Sequence, residues 1–312
     1  MLMEIGSFSA SLVFELAKVA KAIYPGPVNQ KHLRLLDEPI ERQIFVHGSY
    51  GRGYCRIMSN DKAVVVAFRG TREDVDWRIS NFRAFPVPLR DCDLKWPIFV
   101  HRGFQSPLDY SDKSTGQRSF DAILERLDAI EFGDRDLYIT GHSLGGAIAA
   151  IFATKLRFNR PALVRKHLKG IVTFGAPSSG LAGFSRYYTD LHSITLRVIN
   201  ACDAVPFSPP ALYRHVGSAV WLLSSGAHPD PGWKQRLALS FHFATKKSFV
   251  TDHSMAEYIS AISRYMGVDN VQTVSAKKSD SERETEISCL PPTDEEALAK
   301  ANVSLSTRDS TN

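Results

Sequence analysis

Asp136 to Ala150 reads D-L-Y-I-T-G-H-S-L-G-G-A-I-A-A, and the change of character along it decides the fold. Leu137 to Ile139 form a short apolar run, Gly141-His142-Ser143-Leu144-Gly145 follows, and an alanine-rich run comes next. The pattern predicts a strand, a sharp turn and a helix, with a serine at the apex. Glycines belong on both sides of that serine, because a Cβ there would clash with the neighbouring strand and helix. The hydroxyl then stands clear of the sheet at a helix N-terminus, where unpaired N–H groups favour negative charge. Such a serine is placed to attack a carbonyl carbon.

A nucleophilic serine needs a base, and the base needs an acid to orient it. On sheets of this type the order along the chain is Ser, then Asp or Glu, then His. Thr195 to Asn200 reads T-L-R-V-I-N, a strand by its β-branched and apolar content. Asp203 follows it, at the carboxyl edge where open α/β sheets carry their chemistry. The competing reading of Asp203 is a loop aspartate that caps the next turn. Four histidines come later: His215, His228, His242 and His253. His215 opens an apolar run, His228 lies in a Gly/Pro loop, and His242 is embedded in L-S-F-H-F, a packing context. His253 precedes a run with Met255, Ile259, Ile262 and Met266 at helical spacing. A loop histidine ahead of a helix can reach a site and still be anchored, so His253 is the expected base.

Taken together, Gly141 to Gly146 (G-H-S-L-G-G), Asn200 to Pro206 (N-A-C-D-A-V-P) and Asp252-His253 resemble the class 3 lipases, which include filamentous-fungal triacylglycerol lipases. Further pieces fit in order: A-F-R-G-T from Ala67, V-H-R-G-F from Val100, T-F-G-A-P from Thr173, and Y-R-H-V-G from Tyr213 with Trp221 beyond. The resemblance runs from about Val64 to Tyr258. It implies an α/β-hydrolase fold, with a mostly parallel central sheet and helices on both faces. It also implies a Ser143-Asp203-His253 triad and hydrolysis of carboxylic esters.

The resemblance extends to the groups that bind the oxyanion. One donor is the backbone N–H of the residue after the nucleophile, Leu144. By similarity the second is Thr71, at the end of the strand Ala63 to Phe68 and its R-G-T turn. The next segment, Arg72 to Phe82, corresponds to the family's lid, a short element over an apolar site. Here it is heavily charged, and only Val75, Trp77, Ile79 and Phe82 are apolar. Trp77, Ile79 and Phe82 are the expected substrate-facing residues. A lid this polar suits short or partly soluble esters about as well as triglyceride droplets.

Composition bounds the rest. A chain of 312 residues with 44% hydrophobic content can bury a large core. No run approaches the roughly 18 apolar residues of a membrane span. The N-terminal stretch lacks a basic start and carries Glu4, Glu15, Lys18 and Lys21. It places Ile5, Phe8, Leu12, Leu16, Val19 and Ile23 at helical spacing, so it predicts a packed amphipathic helix rather than a signal peptide. The corresponding expectation is a cytoplasmic protein, or one exported without a cleavable signal. Cys55, Cys92, Cys202 and Cys289 are scattered without a C-x-x-C pair, so reduced thiols are expected and no zinc site. Cys202 reads as core filler.

Composition shifts after Gly267, which divides the chain into a hydrolase-like unit (1–267) and a polar tail (268–312) expected to be disordered. The tail holds nine acids and five bases, a net of −4, which leaves the remainder of the +5 chain at +9. A basic unit is compatible with transient docking on an anionic membrane or lipid surface, and equally with a generic basic surface. Between acid and base, Trp233, Leu237 and Phe241 would share a helical face, as a second cap or membrane-touching element near the site mouth, or as an ordinary amphipathic helix packed on the core. Nothing calls for a cofactor, a metal or nucleic acid, and oligomeric state is open. The leading expectation is hydrolysis of lipid esters. A phospholipase A1 or acyltransferase on the same triad, and a non-catalytic lipid-binding protein, are the alternatives.

Overall fold

A computed structural model describes residues 3–24, 33–47, 53–70, 85–209, 212–223, 225–229 and 251–268. The central sheet has eight strands: β1 (Arg42–His47), β2 (Gly53–Ser59), β3 (Ala63–Phe68), β4 (Asp136–His142), β5 (Leu168–Phe174), β6 (Thr195–Asn200), β7 (Ser218–Leu223) and β8 (Gly226–Pro229). Their order across the sheet is their order in the chain. β3 to β7 run parallel, and antiparallel strands close each end: β1 and β2 on one side, β8 on the other. The parallel core follows from composition. Ala63 to Phe68 (A-V-V-V-A-F) is buried at every position, as a strand covered on both faces must be.

Alternation along β3 divides the core in two. Val64, Val66 and Phe68 face one layer, with Leu137, Ile139 and the apolar face of α4 (Leu144–Asn159). The same layer includes α2 (Arg102–Asp109) and α3 (Ser119–Asp128), which lie before α4 in the chain, and part of α5 (Pro161–His167). Ala63, Val65 and Ala67 face the opposite layer, built on α1 (Ala10–Ala22) and α7 (Met255–Tyr265), with Val172, Phe174, Leu196 and Val198. A shorter helix, α6 (Ala182–Tyr187), packs near a small antiparallel sheet of Pro86–Pro88, Phe99–His101, Gly180–Leu181 and Tyr213–Arg214.

The N-terminal amphipathic pattern is realised. Ser9 caps α1 by accepting the Leu12 N–H, and Ile5, Phe8, Leu12, Leu16, Val19 and Ile23 are all buried. Helix α1 packs against α7, which brings the two ends of the described chain together behind the site. The expected strands Ala63 to Phe68 and Thr195 to Asn200 form with those bounds. The segment around Trp233, Leu237 and Phe241, and the tail beyond Val268, lie outside the described residues.

Candidate active site

Strand β4 ends at His142 and α4 begins at Leu144, so Ser143 alone makes the turn between them. Its backbone has φ 57° and ψ −130°, a conformation that costs a non-glycine residue about 1–3 kcal/mol. The surroundings enforce it. The Ser143 N–H is bound to the carbonyl of Phe174 on β5 (2.9 Å), and the Ser143 carbonyl receives the Gly146 N–H (2.9 Å). The expected need for glycine is met on both sides: a Cβ on Gly141 would collide with the backbone of Gly145, and one on Gly145 with the Phe68 carbonyl of β3. One at Gly146 would meet the Ala176 side chain at 2.6 Å.

His253 Nε2 lies 2.8 Å from Ser143 Oγ, and His253 Nδ1 lies 2.8 Å from Asp203 Oδ2. Ser, His and acid are thus connected in one line across three separate segments. Asp203 is fully buried, while the His253 side chain is 18% exposed, which leaves the ring open on one side. Asp203 meets donors on both oxygens. Oδ1 accepts the Val205 N–H (2.9 Å), and Oδ2 accepts the Tyr258 hydroxyl (2.6 Å) as well as the imidazole. A buried carboxylate is tolerated only when so satisfied. Burial first, then the Asp203 charge, pushes the Tyr258 phenol well above its ordinary range, so it stays a donor to the carboxylate.

Several of these supports gave no signal in the sequence. Tyr258 lies on α7 one turn past His253 and was visible only as part of a helical run. The Asn200 side chain donates to the Asp252 carbonyl (2.8 Å), and the Asp252 carboxylate accepts the Cys202 N–H (3.1 Å), tying the acid loop to the base loop. Gly175 has φ 57°, and a Cβ there would sit 2.7 Å from Asp203 Oδ2 and 3.0 Å from the His253 ring. That accounts for the glycine in T-F-G-A-P, which a positional reading left without a role. Ala201, with φ 40°, turns β6 toward the acid.

The other histidines are used elsewhere. His215 Nε2 contacts the Pro206 carbonyl (2.5 Å), His228 Nε2 contacts Ser225 Oγ (2.8 Å), and His242 lies outside the described residues. Leu144 is the first residue of α4, so its N–H has no intrahelical acceptor behind it and lies beside Ser143. Thr71, Trp77, Ile79 and Phe82 lie outside the described residues. One expectation is corrected. Cys202 is buried, as core filler would be, but it is disulfide-bonded rather than reduced; Cys55 and Cys92 are free thiols. Spacing along the chain hides such a bond, because pairing depends on approach in space.

Residues 65–213 match the sequence profile of the family described as lipase (class 3). The segment holds Ser143 and Asp203 and ends before His253. Phospholipase A1-Igamma2, a chloroplastic protein of Arabidopsis thaliana, is 30% identical over 165 residues, 47% of this chain and 30% of that protein. Lipase ZK262.3 of Caenorhabditis elegans is 33% identical over 157 residues, 50% of this chain and 41% of that protein. The chain therefore spans less than half the length of these curated relatives. Among solved structures, the lipase of Rhizopus microsporus var. chinensis superposes with a TM-score of 0.60 at 22% identity, covering 81% of this chain and 88% of that one. The strand order, the serine elbow between β4 and α4 and the matched segment agree: residues 65–213 carry the class 3 lipase pattern, and the chain has the α/β-hydrolase fold.

Proposed function

We propose that the protein hydrolyses carboxylic ester bonds of lipids, with Ser143 as nucleophile, His253 as general base and acid, and Asp203 as the residue that orients the imidazole. The observation that carries this is the unbroken line Ser143 Oγ–His253 Nε2, His253 Nδ1–Asp203 Oδ2, with both contacts at 2.8 Å. In this reading His253 takes the hydroxyl proton as Oγ attacks the carbonyl carbon. Negative charge gathers on the carbonyl oxygen, where the Leu144 N–H and the Thr71 backbone receive it; one such donor is worth roughly 3–4 kcal/mol in the transition state. His253 then hands its proton to the departing alcohol and leaves an acyl group on Ser143. Water, activated by the same ring, releases the acid. Asp203 stays ionised throughout and stabilises the imidazolium.

Ser143→Ala tests the reading. It should fold, lose about 10⁴–10⁶ in kcat on p-nitrophenyl butyrate, and lose labelling by a serine-directed phosphonate. A folded variant that keeps more than a few per cent of activity removes the proposal. A phospholipase A1 is the second reading, supported by the name of the Arabidopsis relative and by the +9 balance of the chain ahead of the tail. Rates on phosphatidylcholine, triolein and p-nitrophenyl esters of graded chain length, measured side by side, choose between them.

A further inference from the structure

Tyr24 lies two residues past the end of α1, in a part of the chain that precedes the segment shared with the class 3 lipases. Its hydroxyl is 2.8 Å from His142 Nδ1 and accepts the Gly70 N–H at 3.0 Å. On the far side of the same ring, His142 Nε2 is 2.7 Å from the backbone carbonyl oxygen of His253. The chemistry of these groups leaves one placement of protons. A carbonyl oxygen only accepts, so Nε2 carries the hydrogen and Nδ1 is an acceptor. The Tyr24 hydroxyl donates to that nitrogen, and its oxygen receives the Gly70 N–H. Burial pushes His142 well below the ordinary imidazole range, so the ring stays neutral as this pattern requires.

Three parts of the site converge on this relay. Gly70 is the residue before Thr71, His142 is the residue before Ser143, and His253 is the base itself. They are in close contact. A Cβ on Gly70 would strike the Tyr24 hydroxyl, lie 2.8 Å from the His142 carbonyl and 3.0 Å from Ser143 Cβ. The His142 and His253 rings are 4.5 Å apart between centroids. We propose that Tyr24 is a positioning residue for ester hydrolysis: through His142 it fixes the His253 backbone against Ser143, and through Gly70 it fixes the turn that follows β3. The proposal rests on the hydrolase reading above. Its effect belongs in the chemical step, because a displacement on the order of 1 Å between reacting groups costs up to about 10²-fold in rate.

The test is steady-state kinetics of the full chain on p-nitrophenyl butyrate with Tyr24→Phe, which removes the hydroxyl and keeps the ring. The expected result is a kcat lower by about tenfold or more with KM within about twofold, together with slower phosphonate labelling of Ser143. A purely structural hydroxyl would lower the melting temperature and leave kcat of the folded protein alone. His142→Gln supplies the second arm, since it sets an amide where Nε2 stands and leaves nothing at the Nδ1 position for Tyr24. It should show the same kcat-specific loss, and adding Tyr24→Phe to it should cost less than about twofold more. Unchanged kcat in folded Tyr24→Phe, or losses that multiply in the double variant, overturn the proposal. If Tyr24→Phe does not fold, His142→Gln decides it alone, and unchanged kcat there overturns it too. Wild-type protein without Ser143-dependent activity would remove the hydrolase reading and this proposal together. Full Ser143-dependent activity in both variants would remove only this one.

Discussion

Ser143 and His253 stand 2.8 Å apart, yet the chain holds them by different means. Ser143 is fixed mainly by its neighbours in sequence, with β4 behind it, α4 ahead of it and glycines around it, and by one hydrogen bond from its N–H to Phe174 on β5. His253 is fixed by residues remote in the chain. Asp203, 50 positions away, holds its ring, and His142, 111 positions away, holds its carbonyl. Tyr258 and Asp252 add further ties to the acid loop, through Asp203 and Cys202. The serine half is therefore a strained turn, and the Asp203–His253 half a hydrogen-bonded network whose one strained residue, Ala201, lies in the loop that carries Asp203. A strained turn fails through sterics. A network fails through the loss of single hydrogen bonds, in steps.

Predictions that break the comparison begin with the largest effect. Ser143→Ala should cost about 10⁴–10⁶ in kcat, as stated above. Ser143→Gly should cost as much and yet unfold at a higher temperature, because glycine accepts φ 57° and relieves part of the roughly 1–3 kcal/mol of strain. A lower melting temperature for Ser143→Gly would mean that the elbow stores no strain. Asp203→Asn, on the network side, should lose on the order of 10⁴ in kcat through the wrong imidazole tautomer while binding substrate normally.

Smaller effects sharpen the contrast. Gly145→Ala drives a methyl into the backbone of β3 and should cost about 3 kcal/mol in denaturant unfolding, with activity falling alongside. Tyr258→Phe removes one of the donors to a buried carboxylate. It should cost about 1.5–3 kcal/mol of stability and lower kcat well short of the Asp203→Asn loss. If Tyr258→Phe matches Asp203→Asn, the network acts as a single unit and the stepwise picture fails.

The smallest effect is on stability against pH. His101 is fully buried, stacked on Phe104 with centroids 3.8 Å apart, and burial lowers it to about 4. Its ordinary value is 6.5, so the unfolded chain takes up a proton that the folded chain refuses. The stability tied to His101 is complete above pH 6.5 and declines as pH falls toward 4, by up to about 3 kcal/mol. His101→Leu should flatten that part of a melting-temperature profile. His142, also held neutral by burial, adds to the same acid slope. An unchanged slope in His101→Leu would show that His101 has no part in the acid sensitivity.

Much of this was legible in the chain. The elbow, the strands Ala63 to Phe68 and Thr195 to Asn200, the buried face of α1 and the placement of Asp203 at a strand's carboxyl end follow from composition and spacing. These are local rules, and they act over a few residues. His253 was legible for a related reason, as the one histidine of its group poised ahead of a helix. The same reading failed at Cys202, because a disulfide is a fact of distance in space. It gave no role to Gly175, Tyr258, Asn200, Tyr24 or His142, whose ring contacts and hydrogen bonds join segments far apart in the chain. By itself, then, the sequence determined where a serine would be strained, which strands would be buried and which acid and histidine were available. The tertiary structure decided what holds the acid and the base in register. A strained turn or a buried strand is specified by adjacent residues, whereas a hydrogen bond between distant segments exists only once packing has removed water and brought donor to acceptor.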